Sequence, residues 1–461
     1  MTLASLRLRD LPALHRVLQH PEVQALLAEY PQALVHDALR AELEGLRRRL
    51  QAGEAVAAEL ADPSALAKSA REGLGWLSRP ALRGVINATG VVVHTNLGRA
   101  PLARTAAQAA ADAAARYVDL EFDLEEGRRG SRQDHLEPLL CRLTGAESAL
   151  VVNNNAAAVF LVLATLARGR EVVLSRGELV EIGGSFRIPD VMAESGALLR
   201  EVGTTNRTHL RDYVEAVGPE TAALLRVHPS NFRQIGFTAR VNGDELAKAA
   251  RAAGVLFLED LGSGALLPVG DEPTVGSVLE SGADLLTMSG DKLVGGPQAG
   301  IILGRRDLVE RLRKAPLYRA LRPDKMTVAA LAETVRLYLR GEEMAVPVYA
   351  MLAAQPHALR RRAQALRRRL RGLGVDSALV PLYGRAGGGA LPESPLPSYG
   401  VALAHDSPDD LHHRMRLGDP PVIGRIEEDR LVLDVRTVLA HQEDALARAV
   451  ATAWAARPEE G

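Results

Sequence analysis

From about residue 76 to residue 325, short apolar runs alternate with stretches of helical periodicity, and that alternation restricts the chain more than any other feature. The runs lie at 149–152, 171–175, 197–202, 222–227, 255–259, 285–288 and 300–303. Helical patterns fill most of the intervals, among them 155–166 and 243–253. Strands alternating with helices predict an α/β fold with a mainly parallel sheet covered on both faces. In such a sheet, ligands bind at the carboxyl ends of the strands.

The flanks differ from this middle. Residues 1–75 predict a small helical unit, because Leu11, Leu14, Val17 and Leu18 recur at three- and four-residue spacing, with Pro21 and Pro31 separating the pieces. Seven arginines and seven acids between residues 1 and 55 leave that unit neutral. Residues 326–461 predict a smaller α/β domain. It opens with a helical pattern over 328–339 and continues into an arginine-dense helix. There Arg360, Arg361, Arg362, Arg367, Arg368, Arg369 and Arg371 have no acid among them. That helix presents either a solvated face or a phosphate-contacting face for nucleic acid. A loop follows at residues 387–389 with Pro392, Pro395 and Pro397, and Glu427, Glu428 and Asp429 sit at the turn of a β-hairpin. Three domains fit a length of 461 residues.

Net charge is −1, which does not point to a nucleic-acid or membrane partner. The single cysteine, Cys141, excludes an intrachain disulfide framework, and its apolar setting at a helix end reads as core. No basic segment followed by an apolar core opens the chain, and no run of 18 apolar residues occurs, so a cytoplasmic protein without a membrane span is expected.

One stretch within the alternating region carries candidate chemistry. Residues 287–300 read TMSGDKLVGGPQAG, and Lys292 is one of only five lysines, the others being Lys68, Lys248, Lys314 and Lys325. Arginine supplies nearly all other positive charge. A guanidinium cannot serve as a Schiff-base amine, whereas a lysine with a lowered pKa can. An ordinary loop lysine would also fit this stretch taken alone. A pyridoxal phosphate site needs a carboxylate under the ring nitrogen as well. Asp260, thirty-two residues earlier, ends the run 255–259, and strand alternation turns Glu259 to the opposite side. The phosphate needs oriented N–H groups. The turn and helix start at Asn153, Asn154, Asn155 and Ala156 offer them, and Ser289 could add a hydroxyl. Plain capping by asparagine or aspartate explains each feature separately. Their order along the chain favours the cofactor.

These residues lie within longer motifs: INATGVVVHTNLGR at 86–99, GRRGSR at 127–132, NNNAAA at 153–158, SRGELVEIGGSFRIP at 175–189, EVGTTNR at 201–207, the lysine stretch, and LYRALR at 317–322. Together they resemble the bacterial L-seryl-tRNA(Sec) selenium transferase family, also called selenocysteine synthase, over essentially the whole chain. One departure is visible, HPSN at 228–231 where the family usually has HTSN. No role is assigned to that turn.

The resemblance implies a PLP-dependent transferase fold (aspartate aminotransferase-like). Residues 1–75 would be a tRNA-binding domain, 76–325 the catalytic domain and 326–461 the small domain. It implies conversion of seryl-tRNA(Sec) to selenocysteinyl-tRNA(Sec) through a dehydroalanyl (aminoacrylyl) intermediate, with selenophosphate as donor. Lys292 would hold pyridoxal phosphate and Asp260 its ring nitrogen. Arg99, Arg319 and Arg322 would meet the selenophosphate anion, with Arg129 and Arg132 as weaker candidates. Arg319 and Arg322, three apart, would share a helix face. It also implies a homo-oligomer, a ring of dimers of decamer size. The alternative is a pyridoxal phosphate lyase or aminotransferase acting on a free amino acid or amino sugar.

Overall fold

The computed structural model describes residues 6–77, 80–182, 186–228, 234–388 and 395–456. They fall into two compact units, Met1–Gly84 and Val85–Gly461.

The first unit is built on the helices Pro21–Glu29, Gln32–Gln51 and Pro63–Leu74. Pro21 and Pro63 occupy first helical turns, where a missing N–H costs nothing, and Pro31 is the N-cap of the long helix. The Asp62 carboxylate accepts from the Ser64 N–H at 2.9 Å to cap the third helix. Val35, Leu39, Leu43 and Leu46 form one stripe of the long helix and pack with Val17, Val23, Leu26 and Leu66. Burying one such leucine contributes about 2 kcal/mol. The arginines of this unit form exposed pairs such as Arg49–Glu54 and Arg40–Asp37, which add little stability.

The second unit holds a seven-stranded sheet. Its strands are β1 (Ser148–Val152), β2 (Glu171–Ser175), β3 (Leu198–Val202), β4 (Thr221–Val227), β5 (Leu256–Gly262), β6 (Leu285–Ser289) and β7 (Gly300–Gly304). Their spatial order is β1-β7-β6-β5-β4-β2-β3. All neighbours are parallel except β7, which runs antiparallel to both β6 and β1. Alternate residues of each strand enter different cores. Leu150, Val152, Leu225, Leu258, Leu285 and Ile302 pack under the helices Asn155–Leu166, Ile188–Ser195 and Arg306–Lys314. On the other face, Val151, Leu286, Met288, Ile301 and Leu303 pack with Leu331 and Val335 of the helix Lys325–Leu339. Both sides of the strands are covered, hence their continuous apolar runs. Cys141 is partly buried in the helix Glu137–Thr144, and burial pushes its thiol pKa up, as suits a core position.

The same unit contains a four-stranded antiparallel sheet, in the spatial order Ser377–Gly384, Leu396–Leu403, Arg430–Asp434 and Arg425–Glu427. The expected hairpin is present, with Glu427 opposite Arg430 and the intervening Glu428 and Asp429 at positive φ. Its core joins Leu359, Leu366 and Leu370 to Val401, Leu431 and Leu433. Ile86 and Asn87 pair with Val422 and Ile423, and the Val92 and Val93 N–H groups donate to the carbonyls of Arg385 and Ala386. Residues 86–93 therefore pack on the C-terminal sheet, although they lie far from it in sequence. Gly389 and Pro392 of the expected loop, residues 183–185 of the motif at 175–189, and residues 229–231 of the departing turn lie outside the described residues.

Candidate active site

The carboxyl ends of β5 and β6 converge on one buried carboxylate and one buried amine. Asp260 sits opposite Thr287 in the parallel pair. Contrary to expectation it does not end its strand: β5 continues to Gly262, with a register shift just after Asp260. Alternation does separate the neighbouring acids. Glu259 turns to the far side and takes both oxygens to Arg226 at 2.6 and 2.7 Å. Asp260 receives Asn155 Nδ2 and Thr287 Oγ1, each at 2.9 Å and both on Oδ1. Its Oδ2 has no donor among the described residues. Burial raises its pKa, opposed by those two hydrogen bonds and by the charge of Lys292.

Lys292 follows β6 in a turn fastened on several sides. The Gly290 N–H donates to the Ala299 carbonyl, Gly296 N–H to the Gly290 carbonyl, and Leu293 N–H to the Ser263 carbonyl. Tyr338 Oη donates to the Val294 carbonyl at 3.0 Å. Gly295 has φ +70° and a Cβ there would stand 2.3 Å from Val346, so the sharp turn after the lysine requires glycine. The Lys292 side chain is buried, and burial, more than the proximity of Arg99, pushes its pKa below the usual lysine value. A fixed, desolvated amine with lowered basicity is a better nucleophile and base than a solvated lysine.

Arg99, at φ +62°, reaches this turn from residues 86–99 and binds both oxygens of Asp291 at 3.1 and 2.9 Å. Ser289 Oγ donates to Asp291 Oδ1 at 3.2 Å, so its hydroxyl is engaged inside the turn. The start of the helix Asn155–Leu166 is nearby. Asn154 caps it by accepting from the Ala157 N–H at 2.8 Å. The N–H groups of Asn155 and Ala156 have no acceptor among the described residues, as expected in a first turn. Gly300 permits the fit of this turn against β7, since a Cβ there would stand 2.0 Å from the Asn154 carbonyl oxygen.

The structure thus brings together Lys292, Asp260, Asn155, Ser289 and Arg99. The remaining arginines are placed differently. The helix Pro316–Leu321 ends before Arg322, which has extended geometry, so Arg319 and Arg322 do not share a helix face. The Leu321 carbonyl accepts from the Asn153 N–H, placing this corner beside the asparagine turn. Arg322 and Arg132 converge on Glu121 at 2.8 and 2.6 Å, and Arg129 reaches its other oxygen at 3.3 Å. Arg319 is exposed.

His228, Thr287 and Asp291 had no role in the sequence reading. The His228 N–H donates to the Asp260 carbonyl at 2.9 Å. Burial and the nearby Arg226 lower its pKa to about 4, so the ring is neutral. Its place directly after a strand, at the ligand-binding edge, was the available signal.

These residues fit pyridoxal phosphate. A carboxylate oxygen without a donor, an amine of lowered pKa, and free N–H groups at a helix start match the ring nitrogen, aldehyde and phosphate of that group. The buried Asn155 Oδ1 and Ser263 Oγ also lack partners among the described residues. A seven-stranded sheet of this order, with the aspartate near the carboxyl end of one strand and the lysine in the turn after its neighbour, is the large-domain fold of the aspartate aminotransferase-like pyridoxal phosphate enzymes. The same fold is found in the solved structure of D-glucosaminate-6-phosphate ammonia-lyase, with a TM-score of 0.59 and 21% identity, covering 83% of this chain and 97% of that one.

Sequence similarity is narrower. The L-seryl-tRNA selenium transferase family model matches residues 85–439, and a selenocysteine synthase N-terminal model matches residues 8–47. The L-seryl-tRNA(Sec) selenium transferase of Solidesulfovibrio magneticus is 53% identical over 98% of both chains. That of Desulfomicrobium baculatum is 52% identical over 94% of this chain and 95% of its own. The chain belongs to the L-seryl-tRNA selenium transferase family.

Proposed function

We propose that this protein converts L-seryl-tRNA(Sec) to L-selenocysteinyl-tRNA(Sec), using pyridoxal phosphate as cofactor and selenophosphate as selenium donor. The observation that carries the reading is the buried Lys292 amine beside the Asp260 carboxylate, in a chain of this family. Pyridoxal phosphate, when bound, supplies an aldehyde for amines and a ring that delocalises negative charge from the α-carbon. Lys292 Nζ would hold the aldehyde carbon and, once displaced by the seryl amino group, take the proton from the seryl Cα. Asp260 Oδ2 would keep the ring nitrogen protonated, with Asn155 and Thr287 fixing the carboxylate through Oδ1. The N–H groups of Asn155 and Ala156 would take the phosphate. Loss of the seryl hydroxyl as water, addition of the selenophosphate selenium at Cβ with return of a proton to Cα, and hydrolysis of the Se–P bond to release phosphate would complete the exchange.

An esterified serine has no carboxylate, so an arginine that would clamp one is free for another anion. Arg99, beside Lys292, is the leading residue for selenophosphate; Arg319 and Arg322, the other candidates, lie at the corner beside the asparagine turn, where Arg322 is paired with Glu121. Residues 1–75 would act as the tRNA-binding domain, and the assembly would be a ring of dimers, as expected from the resemblance. A reaction on aminoacylated tRNA suits an enzyme of the cytoplasm.

The test joins spectroscopy to activity. The purified protein should show a visible absorbance band that borohydride abolishes, and Lys292→Ala should lack it. With seryl-tRNA and selenophosphate, the parent should form selenocysteinyl-tRNA, and Lys292→Ala should not. Turnover of free serine with none of seryl-tRNA would establish the lyase alternative instead.

A further inference from the structure

We propose that one face of the helix Pro356–Gly372 is a docking surface for the phosphate backbone of the tRNA substrate, a second contact besides the N-terminal unit. The proposal rests on the function proposed above. Seven arginines lie on this helix, and the structure separates them into two groups. Arg362 donates to Glu443 at 2.8 Å and to the Val438 carbonyl. Arg369 pairs with Glu443 and Asp444 at 3.1 and 3.0 Å, and Arg367 donates to the Ser377 carbonyl at 3.0 Å. These three hold the helix to its own domain.

The other four, Arg360, Arg361, Arg368 and Arg371, are exposed, and their guanidinium groups have no hydrogen bond or ion pair among the described residues. At 3.6 residues per turn all four fall within an arc of roughly 100°, and they extend about 16 Å along the axis. Leu359, Ala363, Leu366 and Leu370 form the opposite, buried side. The three paired arginines fall outside the exposed arc. His357 and Gln364 fill it, and no acid of the helix interrupts it.

Four unpaired cations in one strip repel each other, and elsewhere in this nearly neutral chain many arginines have carboxylate partners. A strip of that length and charge suits a polyanion whose charges are regularly spaced, and guanidinium groups bind phosphate oxygens in pairs. Contacts of this type position an RNA without reading its sequence.

The test compares the full-length parent with the variant carrying Arg360→Gln, Arg361→Gln, Arg368→Gln and Arg371→Gln. Binding of seryl-tRNA is measured by fluorescence anisotropy across a salt series. The dissociation constant of the variant should rise about tenfold near 0.15 M salt, and the slope of log K against log salt should be shallower by about 3. An unacylated tRNA of another sequence should lose affinity by the same factor. KM for seryl-tRNA should rise while kcat stays unchanged, and the four-lysine counterpart should keep the parent's salt slope. Should the four-glutamine variant lose the cofactor band, the pair Arg361→Gln and Arg368→Gln should give half the slope change with the band intact. Affinity and slope equal to the parent's would overturn the surface and leave the enzyme reading standing. A parent that binds no seryl-tRNA would instead sink the function itself.

Discussion

Asp260 shows how one atom's partners can set a site. Both of its hydrogen bonds arrive on Oδ1, which leaves Oδ2 open to the proposed contact with the cofactor nitrogen. A hydrogen bond to an ionised group contributes about 1.5–3 kcal/mol. Thr287→Val should therefore raise the Asp260 pKa, because the lost donor stabilised only the charged form. The acid limb of kcat/KM should move to higher pH and cofactor affinity should fall about tenfold, while Thr287→Ser restores both. An unmoved pH profile would make Thr287 a packing residue. Lys292 and Asp260 were marked in the sequence as candidates by the scarcity of lysine and by an aspartate following an apolar run. Thr287 and His228 were not, because their importance depends on the neighbouring strand, and sheet order is not written locally. Arg322 was misplaced for a related reason: three-residue spacing makes a shared face only while the helix lasts, and this one stops at Leu321.

The elements around the site are fixed by polar contacts as well as by apolar packing. Glu178, in the turn Arg176–Glu178 after β2, accepts from the Val227 N–H at 3.1 Å and so secures the end of β4 just before His228. Burial pushes its carboxyl pKa up to about 7. A raised folded-state value means the native protein holds this proton more tightly than the unfolded chain. Its contribution is complete below about pH 4.5 and is lost as pH rises through 7, a cost of about 3 kcal/mol once ionised. Glu178→Gln keeps an acceptor for Val227 and removes that cost. Its melting temperature should match the parent's near pH 4.5 and exceed it at pH 8; a difference independent of pH would contradict the assignment. The strands themselves were legible to within a few residues, since a strand covered on both faces must be apolar at successive positions. The reach of Glu178 to a strand 49 residues away was not, because one acid in a polar turn has no local mark of burial.

At the scale of the whole molecule, the chain divides after Gly84 into units with separate cores. Removing residues 1–84 should leave the visible cofactor band and its borohydride sensitivity unchanged. Discrimination of the cognate tRNA should be lost, while a weak, salt-sensitive affinity through the arginine face remains. Loss of the band on truncation would show that the second unit cannot hold its site alone. The sequence by itself determined the helical unit, the alternating α/β region and the family, and marked Lys292 and Asp260 as candidates, because periodicity and long local motifs record these directly. Tertiary structure alone decided that residues 86–93 pack against the C-terminal segment, that Arg99 meets Asp291, and that Asn155 and Thr287 share one oxygen of Asp260. Each of these is a contact between segments distant in the chain, where burial removes water and leaves hydrogen bonds between protein groups to satisfy the polar atoms.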